Sequence, residues 1–266
     1  MTTIPGSRLM RLQRLAVNTH KWLALVIGVQ VLLWIAGGVV MSVLPIEQVR
    51  GEHKIAPSPD PSFDVPAPID LAGAFSASGL DTLDRATLTR AAPGLVWRLR
   101  SAQHEVTVDA LTGRVLSPFD AQAARRIAEA DYAGPGAVLD VEHLKQAPDE
   151  YGGPAPVWRV RFDDRDATTL YVDPDSGRVR ARRSTTWRFY DLFWRLHVMD
   201  YDDGADFNHP LLIAASAIAL LVAVSGLVLL VLRMRRSLQV QRGIRRRRRA
   251  RMEAGRANNV TAGSDP

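Results

Sequence analysis

Six histidines and no cysteine bound the chemistry open to this chain of 266 residues. Without thiols there is no disulfide, no thiolate nucleophile, no thiolate metal ligand and no attachment motif for a c-type haem. The imidazoles are then the candidate ligands. His20 stands in the run His20-Lys21-Trp22-Leu23-Ala24-Leu25, at the mouth of a long apolar segment. His197 sits in an aromatic stripe: Trp187, Tyr190, Trp194, His197 and Tyr201 recur at spacings of 3, 4, 3 and 4, the period of one helix face. His53 and His209 fall with His197 near the ends of the apolar runs, but the spacings fit no known ligand pattern. His104 is expected in a turn between strands and His143 in a polar strand, both solvated. Asp200, Asp202, Asp203 and Asp206 read as a solvated acidic turn rather than as oxygen ligands for a cation. Asp109 and Asp173 read as turn formers with no nearby base in sequence to support acid–base catalysis. There is no G-x-S-x-G, no H-E-x-x-H, no phosphate-binding glycine loop and no recognisable flavin or nicotinamide site.

Two apolar elements must position these histidines. Trp22 to Leu44 is 23 residues without a charge, with Gln30 and Ser42 its clearly polar side chains, and Pro210 to Leu232 is a second uncharged run of the same length. At 1.5 Å per residue each is long enough to cross a hydrocarbon core of about 30 Å. The first run is too long for the apolar core of a signal peptide and no A-x-A site follows it, so a retained span is expected. Gln30 inside that span wants protein rather than lipid beside it, and Gly28, Gly37 and Gly38 would let another helix approach.

Charge orients the two runs. Residues 1–21 carry Arg8, Arg11, Arg14 and Lys21 and no acid; from Arg233 onward 11 arginines stand against Glu253 and Asp265; between the spans 26 acidic residues outnumber 19 basic ones. The positive-inside rule then predicts both termini in the cytoplasm and the middle segment outside, in the periplasm of a Gram-negative bacterium. The run Arg245–Arg251 follows a span directly, so it reads as a solvated tail near anionic lipid headgroups and not as a nucleic-acid contact.

The middle repeats itself. VWRLR at Val96–Arg100 returns as VWRVR at Val157–Arg161, and VTVDALTGRV at Val106–Val115 returns as LYVDPDSGRV at Leu170–Val179. Each copy reads as antiparallel strands closed by a D-x-x-x-G-R-V turn, in which Asp accepts backbone N–H bonds and Gly tolerates positive φ. A helix is predicted over Ala121–Tyr132 with Asp120 as its N-cap, and Ile69–Ala77 is its shorter counterpart. Residues 55–68, with five prolines, form an extended linker.

This pattern of helix, strands and turn resembles PepSY domains. His20-Lys21-Trp22-Leu23-Ala24-Leu25 resembles the H-R-W-L-G-L opening of the first helix in PepSY-associated transmembrane proteins, and Leu196-His197-Val198-Met199-Asp200 resembles their L-H-x-G-D segment. Lys21 replaces the Arg, Met199 replaces the Gly, and there are two spans where larger members have four. The resemblance, over roughly residues 10–235, implies a membrane α+β fold: two transmembrane helices flanking a periplasmic module of two PepSY-like units, each a helix on an antiparallel sheet. The expected organisation is a basic cytoplasmic N-terminus (1–21), a first span (22–44), a Pro-rich linker (45–68), two units (69–118 and 119–184), an amphipathic aromatic interfacial helix with its acidic turn (185–208), a second span (209–232) and a basic cytoplasmic tail (233–266).

Four-span relatives include inner-membrane reductases that help release iron from siderophores with b-type haem. The resemblance therefore implies haem b, with His20 and His197 as axial ligands at opposite faces of the bacterial inner membrane, in transmembrane electron transfer or siderophore-iron reduction. A homodimer would supply the second copy of each imidazole, and the electron donor would be a separate partner. PepSY domains also resemble segments of protease propeptides. The alternative this implies is a cofactor-free binding or regulatory module for a peptidase or another envelope protein. A third reading is an accessory membrane protein without a cofactor.

Overall fold

A computed structural model of the chain describes residues 6–57, 67–102, 104–201, 206 and 208–262. They divide into two units, one made of the chain up to Leu32 with Pro210 onward, the other of Leu33–His209.

The first unit is helical. It holds the first part of helix α1 (Gly6–Val43) and the whole of the last helix (Pro210–Ala262), here α6. The stretches apolar enough to span a membrane are Val17–Val43 and Pro210–Gly243. Their large side chains, among them Trp22, Leu25, Val26, Leu220 and Leu221, are exposed. A helix satisfies its own backbone, so such a coat suits lipid. Both helices outrun their expected bounds. α1 is continuous from Gly6 and does not break at Trp22, which puts His20 and Lys21 within the apolar stretch rather than ahead of it. α6 continues through 233–262, where Arg, Leu, Gln, Met and Ala favour helix and no proline interrupts it.

The second unit contains the rest of α1 and the repeated module. After α1 come a short helix α2 (Ile46–Val49) and a 3-10 turn at Glu52–Lys54. The first copy is helix α3 (Leu71–Ser78) on a three-stranded sheet, β1 (Arg85–Ala91), β2 (Gly94–Arg100) and β3 (Glu105–Asp109), in the order β1-β2-β3. The second is helix α4 (Ala121–Asp131) on a four-stranded sheet, β4 (Val138–Leu144), β5 (Val157–Phe162), β6 (Thr169–Val172) and β7 (Val179–Arg183), again in sequence order. All pairings are antiparallel. Helix α5 (Thr185–Val198) closes the unit.

The two copies use the same devices. Asp70 and Asp120 cap their helices, each accepting a bond from the backbone N–H three residues on. Trp97 Nε1 donates to Ile69 O at 3.0 Å and Trp158 Nε1 to Phe119 O at 2.8 Å, so each sheet is pinned to the residue before its cap. Asp109 Oδ1 accepts from the N–H of Leu111 and Thr112, and Asp173 Oδ1 from those of Asp175 and Ser176. Gly113 and Gly177 take φ of 73° and 60°, the left-handed turn that a side chain would strain. The cores are Ala74, Leu99 and Val108 in the first copy, and Phe119, Ile127, Val160, Phe162 and Leu170 with their neighbours in the second.

Candidate functional site

His20 lies on α1 and meets Ser225 of α6. Its Nδ1 is 2.8 Å from Ser225 Oγ, and that hydroxyl donates in turn to Val222 O at 2.9 Å. A serine has one proton to give, so His20 Nδ1–H is the donor to Oγ and Nε2 keeps its lone pair. A Cβ placed on Gly226 would stand 3.7 Å from Cε1 and 3.9 Å from Nε2 of His20. The bare glycine keeps that edge of the ring free of a side chain.

His197 is built differently. α5 is capped by Ser184, whose Oγ accepts from Trp187 N at 3.1 Å, and carries His197 in its last turn. Trp34 of α1 donates its Nε1–H to His197 O at 2.8 Å. One turn further along α1, a Cβ on Gly37 would lie 3.5 Å from Phe193 O and 3.6 Å from His197 Nδ1. Of the three glycines expected to admit a helix, Gly37 does so, for α5; Gly28 and Gly38 face open space among the described residues. His197 Nδ1 is buried and has no hydrogen-bond partner among the described residues, a state rare enough in folded proteins to ask what satisfies it.

The end of α5 explains a departure noted in the sequence. Met199 adopts φ 56°, the left-handed conformation in which a helix ends on glycine most easily. It stands where the resembled pattern has Gly. Asp200, expected in a solvated turn, is instead 5% exposed and accepts from Asp206 N at 3.1 Å. Asp202, Asp203 and Gly204 lie outside the described residues. Four members of the aromatic stripe turn toward the protein: Trp187, Tyr190, Trp194 and His197 are half-buried, while the exposed apolar side chains of α5 are Phe189 and Leu192. Tyr201, expected to continue the stripe, lies beyond the end of α5 and is exposed.

The other histidines are not gathered with these. His53 and His104 are exposed, and His143 is exposed and meets Trp158 with ring centroids 4.6 Å apart and the rings tilted by 55°. His209 Nδ1 is buried without a partner among the described residues. No group of three or more metal-ligating side chains occurs among the described residues.

The family model for the PepSY-associated TM region matches residues 17–254. The chain belongs to that family. No curated protein and no solved structure matches it. In this PepSY-associated membrane protein, both histidines of the recognised motifs lie against a glycine of another helix, which the motifs alone did not reveal. Ser225 and Gly226 were missed; the signal available was a lone Ser-Gly pair inside a span otherwise rich in Leu, Val and Ala.

A second polar centre of the PepSY-associated protein escaped the sequence reading altogether. Lys54 Nζ donates to Asp164 Oδ2 at 2.8 Å, Asp166 Oδ2 at 2.6 Å and Thr168 Oγ1 at 3.1 Å, and Tyr132 OH donates to Asp164 Oδ2 at 2.7 Å. Burial alone would raise the Asp164 carboxyl; the bonds from Lys54, Thr168 and Tyr132 outweigh it and hold the group well below the usual carboxylate range. Burial likewise works against the Lys54 ammonium, and the two aspartates outweigh it and raise the group. Backbone bonds Ala56 N to Asp131 O and Ala133 N to Lys54 O flank this clasp. It ties the segment after α1 to the second repeat. Asp173, read as a turn former with no base near it in sequence, is also paired, with Arg180 at 2.8 Å.

Proposed function

We propose that this protein binds b-type haem through His20 and His197 and is a component of electron transfer across the bacterial inner membrane, of the kind used to reduce siderophore iron. The observation that carries the reading is the donor chain from His20 Nδ1 through Ser225 Oγ to Val222 O, which leaves Nε2 of His20 as a lone pair. Fixing one ring nitrogen by a hydrogen bond is how proteins orient the other for a metal. For His197 the support is the motif itself: its Nδ1 is buried against Gly37 and has no orienting partner among the described residues, so it lacks the bond that prepares His20. Haem iron needs one or two imidazoles and an apolar slab, not a cage of three ligands, so this donor set suits haem better than a bare ion. When bound, haem supplies a one-electron carrier.

The chain's own residues hold and orient. Ser225 fixes the His20 ring; Gly226 leaves its edge open; Trp34 anchors the backbone of His197. A second copy of the chain would supply a second imidazole to each site. The basic termini favour a cytoplasmic placement of both ends and a periplasmic module, with a separate protein as electron donor. An optical spectrum of the purified protein, oxidised and then reduced with dithionite, tests the reading. A Soret band that shifts on reduction and is lost in His20→Ala and His197→Ala is expected. A flat spectrum after growth with excess haem precursor overturns it, and leaves binding by the module as the function to pursue.

A further inference from the structure

The two repeats treat equivalent arginines differently. Arg98 and Arg100 of β2 correspond to Arg159 and Arg161 of β5. In the second copy the register places Glu142 opposite Arg159 and Asp140 opposite Arg161, and both ion pairs form, the latter at 2.6 Å. In the first copy the register places Thr87 opposite Arg98 and Arg85 opposite Arg100. Two acids are thus replaced by a hydroxyl and a further cation.

These side chains share one face of the first sheet. Ala86, Trp97, Leu99, Val106 and Val108 pack on the α3 side, and strand alternation puts Arg85, Thr87, Arg98, Arg100, Glu105 and Thr107 on the other. That face meets the turn of the second copy: Thr107 Oγ1 donates to Asp175 O at 2.8 Å, and Arg98 Nε to Ser176 O at 2.9 Å. The turn brings a fourth guanidinium, Arg178. Arg85, Arg98, Arg100 and Arg178 line a cavity of about 60 Å³ with Thr87 and Glu105. A wider groove of about 820 Å³ shares Thr87, Arg98 and Arg178 as lining.

None of the four arginines makes an ion pair among the described residues, whereas Arg180 and Arg182 of the neighbouring β7 both do. Burial, and then the charge of Arg178, hold the Arg98 guanidinium below its ordinary value. Arg98 is half-buried and Arg85, Arg100 and Arg178 are exposed, and like charges gathered on one face oppose one another unless an anion joins them.

We propose that this seam is a binding site for an oxyanion of the phosphate type. Guanidinium forks match two oxygens of one tetrahedral group, and several forks reach different edges of it. Arg98 is held in place by Ser176 O, so its remaining N–H groups are pre-oriented. Among the lining residues four cations face one acid, Glu105; beyond them Arg180, which pairs with Glu105, and Asp173 offset one another, and the excess of positive charge favours a doubly charged group over a monoanion. Two sources carry that chemistry: a free phosphate compound, or the phosphomonoester headgroup of an anionic lipid.

The test uses the full chain in maltoside detergent, with thermal unfolding followed while inorganic phosphate is added at constant ionic strength set with chloride. A saturable rise in Tm with a Kd of about 1 mM or tighter is expected, and chloride alone should not produce it. The variant Arg85→Asp with Thr87→Glu rebuilds the second copy's ion pairs in the first. It should melt higher without phosphate and respond to phosphate at least about tenfold more weakly. If that variant does not fold, Arg178→Gln should weaken the response in the same direction. No response of the natural protein beyond chloride, or an unchanged midpoint in the folded variant, overturns the proposal. Nanodiscs with and without phosphatidic acid separate the sources: a phosphate response abolished by phosphatidic acid identifies a lipid headgroup, and one that persists identifies a free ligand.

Discussion

His20 Nδ1 and Ser225 Oγ stand 2.8 Å apart on two apolar helices, and the serine's own proton goes to Val222 O. The serine thereby selects which nitrogen of the ring is basic. Ser225→Ala removes that selection without touching the imidazole. With haem held as proposed, its retention should weaken by about 10- to 100-fold, the usual effect of losing a group that orients a ligand, while Ser225→Thr should keep it. Transfer of haem to an apoprotein acceptor reads the difference. Equal retention in wild type and Ser225→Ala, with loss in His20→Ala, would show that the serine only packs the helices.

Gly37 sets how closely α5 approaches α1. A Cβ there would meet Phe193 O at 3.5 Å and His197 Nδ1 at 3.6 Å, ordinary contact distances, so Gly37→Ala should leave Tm nearly unchanged. Gly37→Leu must push α5 away and break the bond from Trp34 Nε1 to His197 O, at a cost of about 1–3 kcal/mol for overpacking. Thermal unfolding with Trp fluorescence separates the two variants.

The clasp at Lys54 gives a pH dependence with a definite sign. Asp164 is depressed from 3.8, so its contribution is complete above that value and disappears as pH falls through the lower folded pKa. Lys54 is raised from 10.5, so its contribution is complete below that value and disappears as pH rises through the higher folded pKa. The side chains of Lys54 and Asp164 are 14% and 2% exposed. Asp164→Asn should therefore destabilise the module by about 3 kcal/mol at neutral pH, as breaking one half of a buried pair does. It should also flatten the acid limb of a Tm-against-pH curve. An unchanged acid limb would assign that limb to other carboxylates.

Trp97 and Trp158 make the same bond at the same place in each repeat. Trp97→Phe and Trp158→Phe each leave one carbonyl without its side-chain donor, and each should cost about 1–2 kcal/mol. Chemical denaturation of the two variants should give similar losses; a loss confined to one would show that the repeats are alike in shape and unequal in energy.

Much of this fold is legible in the chain because its signals are local. Uncharged runs of 23 residues announce the spans, and the D-x-x-x-G-R-V turns depend on an aspartate and a glycine a few residues apart. Asp120 reads as a cap and is one. The motifs around His20 and His197 are visible in the chain, but the surroundings of the two rings are not. Ser225 meets His20 across 205 positions and Asp164 meets Lys54 across 110, and a single sequence carries no register between such distant segments. The unpaired arginines needed the strand register too: VWRLR and VWRVR look equivalent until the opposite strand shows Thr87 and Arg85 where the second copy has Glu142 and Asp140.

The backbone bonds between Lys54–Ala56 and Asp131–Ala133 have an architectural consequence. The chain leaving α1 docks on the second repeat before it has built the first. The first repeat is therefore an excursion, inserted between two stretches that already belong together, while the second repeat is the hub that receives the Lys54 segment and α5, and α2 rests on α5. The first repeat is joined to the second by the chain through Leu116 and Phe119 and by the seam at Arg98 and Thr107, and the second repeat in turn holds the Lys54–Ala56 segment that leads back to α2. An occupant of the seam would therefore stiffen the joint between the two repeats, and with it the position of the first repeat on the hub.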